Sequence, residues 1–137
     1  MAGWTFICSK ETEGECFIRR LFGDREPVKN TKKGDILFLH NRDTDILWGS
    51  FLAQTDLTKN IEPDAWCGDF PYQVRVSWSW NNLYKLKNAG LVLNQAGVRI
   101  RYGEPYSGDE VERIKDILKN RGKKIVIASN LLNKIKK

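Results

Sequence analysis

The sequence is poor in residues that would each open a route to catalysis. Histidine occurs once, methionine once, cysteine three times and proline four times in 137 residues. A lone His40, with no Cys or Glu cluster around it, argues against a zinc-type site, and it sits at the end of an apolar run beside a turn. There a rim residue is a better reading than a general base. Cys8, Cys16 and Cys67 are odd in number and too far apart for a metal knuckle. They read as free, largely buried thiols of a reducing compartment. No glycine-rich phosphate loop or nucleophile elbow is present. The nearby carboxylates Glu62 and Asp64 lie in a loop, where solvated surface explains them. No apolar stretch approaches the roughly 18 residues of a membrane span. The first residues, Met1-Ala2-Gly3-Trp4, lack the basic segment and apolar run of a secretory signal. The expectation is a soluble, cytoplasmic binding module rather than an enzyme, with no cofactor, no metal and no membrane partner.

What is present supports a single packed α+β domain. Hydrophobic residues at 41% are too many for a disordered chain. Lysine and arginine number 23 against 17 acidic residues, a net charge of +6, which suits a phosphate-rich partner. Much of the excess lies at the end, where Lys119, Arg121, Lys123, Lys124, Lys134, Lys136 and Lys137 fall. A solvated face would explain such a run equally well.

Trp4–Cys8 reads as a first strand. Thr12, with Glu15 three residues on, reads as a capping box opening a helix. Phe22-Gly23 would end that helix, with Gly23 as its left-handed cap. A polar loop over 24–34 leads to a strand Ile36–Leu39, a turn over 41–45 and a returning strand Ile46–Ala53. Gly49 inside that strand signals a bulge or a close backbone approach. Residues 55–71 form a long irregular segment carrying Trp66. Residues Tyr72–Trp80 alternate strictly: Val74, Val76, Trp78 and Trp80 on one face, Gln73, Arg75, Ser77 and Ser79 on the other. Val98–Tyr102 alternates again, with Arg99 and Arg101 on one side. Ser107 and Glu110 form a second capping box before a helix reaching about Asn120. The tail from Lys123 is ambiguous; one reading makes Ile125–Ile127 a last strand, with Leu131, Leu132 and Ile135 on a short basic helix. A small sheet hides its edges best by closing into a barrel.

Five tryptophans are many for this length. Core packing accounts for Trp4, Trp78 and Trp80, while Trp48 has no settled face. Trp66, bounded by Pro63 and Gly68, is either a cap on the core or a stacking platform for a flat base. Phe22 carries the same two readings.

Seven ordered blocks within the first eighty residues resemble the DCD domain. They run Gly3-Trp4-Thr5-Phe6-Ile7, Thr12 to Cys16, Leu21-Phe22-Gly23, Phe38 to Asn41, Leu47 to Ala53, Asn60 to Trp66, and Phe70 to Val76. The remaining residues match less well. DCD domains are similar to YTH and EVE domains, so the resemblance implies a PUA-like twisted β-barrel of about five or six strands with flanking helices. It implies RNA as partner, with modified DNA as the alternative nucleic acid. In YTH domains an aromatic cage holds the methyl group of N6-methyladenosine. Carried over, the cage walls would be Trp66 and Phe22, with Gly23 beside it, and Ser9 and Lys10 would read the base edge. Phe22 stands where the family cage has a tryptophan. Arg75, Arg99 and Arg101, on wet strand faces, would hold phosphates. The rival readings are a protein-interaction module with its pocket closed and an enzyme on the same scaffold.

Overall fold

The strongest alternation in the sequence marks the strand around which the sheet is built. The computed structural model describes residues 2–125. Tyr72–Ser77 form this strand, with Val74 and Val76 buried and Arg75 half-buried. Gln73 is buried too, against the expectation of a wet face, because its amide donates to the carbonyls of Glu62 and Phe70. A buried amide is tolerated when so satisfied. The strand stops at Ser77. Trp78 and Trp80 lie beyond it, half-buried and packed edge-on with ring centroids 5.4 Å apart.

In chain order the elements are β1 (Gly3–Cys8), α1 (Glu13–Ile18), β2 (Leu21–Asp24), β3 (Ile36–Asn41), β4 (Ile46–Ala53), β5 (Thr58–Lys59), β6 (Tyr72–Ser77), β7 (Tyr84–Leu86), α2 (Ala89–Gln95), α3 (Gly108–Arg121) and β8 (Lys123–Lys124). The main path of the sheet is β1-β3-β4-β6-β2. β1 runs parallel to β3, and the other pairs are antiparallel. The path curls until its two ends face one another. β1 and β2 share no ladder, yet the rings of Phe6 and Phe22 meet across the gap at 5.7 Å. The result is the expected α+β, PUA-like barrel. It has eight strands among the described residues rather than five or six, because β5, β7 and β8 are short additions.

Local chemistry explains the departures. Thr12 is the residue before α1, but its hydroxyl accepts from the Ser9 amide at 2.8 Å instead of capping the helix. Glu15 reaches across the molecule to accept from the Trp66 amide at 2.8 Å. Neither half of the expected capping box forms, since a local donor takes the Thr12 hydroxyl and a distant one the Glu15 carboxylate. The helix ends at Ile18 rather than at Phe22. Arg20 turns the chain in the left-handed region, at φ 52°, and Leu21 and Phe22 enter a strand that buries both completely. Gly23 is therefore a strand residue, not a helix cap.

The β3–β4 hairpin forms as expected, with its register shift beside Gly49. A Cβ on Gly49 would stand 2.5 Å from the Phe38 ring, so a close approach requires glycine there. Residues Val98–Tyr102 are irregular rather than a strand. Val98 serves instead as a buried residue of the second core. β7 and α2 precede it, where the sequence offered no clear period. The Ser107–Glu110 capping box forms in both directions and starts α3.

The interior divides in two. Phe6, Leu21, Phe22, Leu37, Leu39, Phe51, Val74 and Val76 fill the barrel. Phe38, Leu47, Leu93, Tyr106, Ile114 and Leu118 pack between the outer face of the sheet and the helices α2 and α3. Cys8 and Cys16 are buried, whereas Cys67 is exposed, so the thiols are only partly the buried set expected. A hydrogen bond with Cys16, then burial, pushes the Cys8 thiol far up, which keeps it protonated and unreactive. The expected tail helix falls outside the described residues.

Candidate nucleic-acid interface

The missing ladder between β1 and β2 leaves a seam, and a cleft lies along it. Ile7 of β1, Thr12 and Cys16 at α1, Gly23 of β2, and the rings of Trp66 and Phe70 line this cleft. The loop that delivers Trp66 is held firmly. Trp66 and Cys67 both take left-handed backbone angles, at φ 48° and 56°. The Trp66 indole N–H donates to the Thr12 carbonyl at 3.1 Å. Its ring lies on Gly23 so closely that a Cβ there would stand 2.8 Å from the indole. Phe70 meets Trp66 edge-on with centroids 5.6 Å apart, and the Arg25 guanidinium lies 5.4 Å from the Phe70 ring.

The cleft is closed as it stands, at about 10 Å³, with Trp66 only 6% exposed. A drug-sized or nucleotide guest ordinarily takes about 300 Å³ or more. The structure brings Gly23 and Trp66 together, whereas Ser9 is buried and outside the cleft's lining, hydrogen-bonded to the lining residue Thr12. It does not bring Phe22. That ring points into the barrel, fully buried, 4.8 Å from Phe51 and edge-on to it. β2 replaces the helix end that would have exposed it, so Phe22 is a core residue. The second aromatic of the cleft is Phe70. The Phe-Pro pair before the alternating strand was the available signal for it. Lys10 is exposed, and its amide already donates to Asp43 at 2.8 Å.

The three arginines expected at phosphates separate. Arg75 donates to Glu62 at 2.6 Å and to the Arg19 carbonyl at 2.6 Å. Arg101 pairs with Glu110 at 2.8 Å. Burial pushes the Glu62 carboxyl up, but its hydrogen bonds from Arg19 and Arg75 outweigh this and hold it below the ordinary value. At Glu110 the Ser107 amide does most to lower the carboxyl, and Arg101 adds to it. Arg99 alone of the three is exposed without a carboxylate partner among the described residues.

A basic groove appears elsewhere. Lys85, Lys87, Arg121 and Lys123 line a volume of about 370 Å³ with Leu86, Val92 and Gly122, where β7 and β8 meet the end of α3. No carboxylate belongs to its lining. Sequence reading noted only Arg121 and Lys123, as part of a charge run, because β7 was not recognisable and could not be placed beside the end of α3.

The curled, mostly antiparallel barrel with flanking helices is the architecture of YTH domains. The YTH domain of Mmi1 superimposes with a TM-score of 0.62 over 86% of this chain and 88% of that one, at 13% identity. The same domain solved in complex with RNA gives 0.64 over 90% and 84%, also at 13% identity. By sequence, the profile of the development and cell death domain matches residues 2–88, and the chain belongs to that family. Relatives include the DCD domain-containing protein NRP-B of Glycine max, 38% identical over 87 residues, covering 56% of this chain and 26% of that protein. The B2 protein of Daucus carota is likewise 38% identical over 87 residues, covering 56% of this chain and 42% of its own. The match thus spans less than half the length of either relative.

Proposed function

We propose that this chain is a single-stranded RNA-binding module that takes one base into the seam between β1 and β2. The observation that carries the reading is the seam itself. It is a gap in an otherwise laddered barrel, floored by Trp66 and walled by Phe70, on a fold shared with a domain solved with RNA. Phe70 is half-buried at the rim of the core, with its ring at 90° to the indole and under the Arg25 guanidinium, so a turn of its side chain would uncover the indole. A base carrying an N6-methyl group is the favoured guest, because polarised methyl hydrogens gain from an aromatic face. Ser9, bonded to the cleft residue Thr12, and Lys10 beside it would read the base edge, as the family resemblance implies. Lys85, Lys87, Arg121 and Lys123 supply phosphate contacts in place of Arg75 and Arg101.

The small volume of the closed cleft favours a second reading, a protein-interaction module whose seam never opens. Titration of labelled single-stranded RNA with and without N6-methyladenosine, and of the matching DNA, separates the two. Trp66→Ala is expected to weaken RNA binding by about ten- to a hundredfold, the usual loss of a stacking platform. Each phosphate held contributes about −0.7 to the log–log salt slope for a single strand. Replacing the four groove cations with alanine should flatten that slope, while Arg75→Ala should leave it unchanged. RNA binding with no salt dependence, or no RNA binding at all, would sink the reading.

A further inference from the structure

A second groove, on the other side of β1 from the seam, has the features of a base-stacking subsite. Its volume is about 450 Å³, and Tyr102, Ile100, Leu91, Asn94 and Arg99 line it above His40 and Asp45. The Tyr102 ring is fixed in place. Its hydroxyl lies 2.5 Å from His40 Nδ1, and His40 Nε2 lies 2.8 Å from Asp45 Oδ1. Asp45 in turn accepts from the Gly90 amide at the start of α2. One arrangement satisfies all three side chains: the phenol donates to Nδ1, and Nε2–H donates to the carboxylate.

The imidazole lies beyond the hydroxyl end of the Tyr102 ring, 23° from its plane and with centroids 5.9 Å apart. His40 thus covers neither face of the phenol ring, and with the residue 45% exposed the ring presents a face to the groove it lines. Tyr102, Leu91 and Ile7 are three of the six large hydrophobic residues exposed on the described surface. Tyr102 and Leu91 line the groove, and Ile7, which lines the seam, is the register partner of His40 on the neighbouring strand. Paired strands lie about 4.8 Å apart, so this groove and the seam are next-door neighbours. Arg99 and the Asn94 side chain are both exposed at the groove and offer a cation and an amide.

We infer that this groove holds the nucleotide adjacent to the one in the seam, its base stacked on the open face of Tyr102 and its phosphate on Arg99. The inference rests on the RNA reading and extends it from one nucleotide to two. A rigid aromatic face flanked by a free cation binds any base, since every base has a π-face. The groove therefore adds affinity without sequence readout, while the seam selects.

The test uses a fluorescein-labelled oligoadenylate and the full chain, with thermal melting of each variant as a control. Tyr102→Ala is expected to weaken binding by about tenfold or more with little change in melting, while Tyr102→Phe retains the ring and stays near the parent. Arg99→Ala should weaken binding and reduce the salt slope by about 0.7. If Tyr102→Ala and Arg99→Ala bind like the parent while Trp66→Ala is weakened, the subsite is wrong and the seam reading stands. If Tyr102→Phe loses as much as Tyr102→Ala, the hydroxyl matters rather than the ring, and stacking is wrong. If the parent fails to bind the oligonucleotide, both readings fall.

Discussion

The barrel and its helical flank treat polar groups in opposite ways. In the barrel nearly every buried polar group is tied to another part of the molecule. The indole of Trp4 donates to Asp35, that of Trp48 to Glu13 and that of Trp66 to the Thr12 carbonyl. Lys29, in a loop, has its side chain only 2% exposed, paired to Asp24 at 3.0 Å and lying over the Phe6 ring. On the flank, Lys85, Lys87, Arg121, Lys123 and Arg99 line grooves and have no carboxylate partner among the described residues. Much of the family pattern therefore encodes construction, since its tryptophans and acids hold the barrel together. Of the cations that line the two grooves, Arg99, Arg121 and Lys123 lie outside the matched residues.

Five substitutions probe that contrast, the largest effect first and the smallest last. Phe22→Ala should cost about 3–5 kcal/mol in denaturant unfolding, as truncation of a fully buried aromatic does. Phe70→Ala, at the half-exposed rim, should cost much less. Equal losses would show that the seam is as much core as the barrel interior. Lys29→Ala should cost about 3–5 kcal/mol at neutral pH, because it strands a buried carboxylate. Burial already raises the Asp24 carboxyl, against the pull of Lys29. A raised folded value means the protonated form is favoured in the native state, so that stability is present in acid and is lost as pH rises through it. The deficit of Lys29→Ala should accordingly shrink as pH falls, and a pH-independent deficit would mean the pair is not buried together in solution.

On the flank, Ser107→Ala should cost about 1 kcal/mol, the typical value of an N-cap. The smallest effect is expected of Glu62→Gln. The Glu62 carboxyl lies below its ordinary value, so its contribution is present above the unfolded value and fades as pH falls through the folded one. The variant should lose a little stability near neutrality and match the parent in strong acid. A constant offset across pH would break the assignment of Arg19 and Arg75 as its partners.

Legibility followed the same division. The hairpin, the alternation at Val74 and Val76 and the Ser107 cap were readable, because each is a local pattern with a local cause. The Thr12 box had the same sequence form as the Ser107 box and failed, since Ser9 just upstream and Trp66 from a distant loop supplied competing donors. Phe22 was misplaced for a related reason: nothing near it announces β6 as a partner strand. Trp66 was correctly set apart as a loop tryptophan, but its near-complete burial depends on Gly23, which sequence proximity does not link to it. β7 has three residues and no usable period, so the basic groove built on it was invisible.

The contact between Gly23 and Trp66 also has a consequence for inheritance. A methyl group at position 23 would collide with the indole at 2.8 Å and with the Phe70 side chain at 3.0 Å. The two positions therefore form one heritable unit: any larger residue at 23 evicts the indole, and only a smaller residue at 66 makes room for it. Across descendants of this sequence, position 23 should drift from glycine only after position 66 has ceased to be tryptophan.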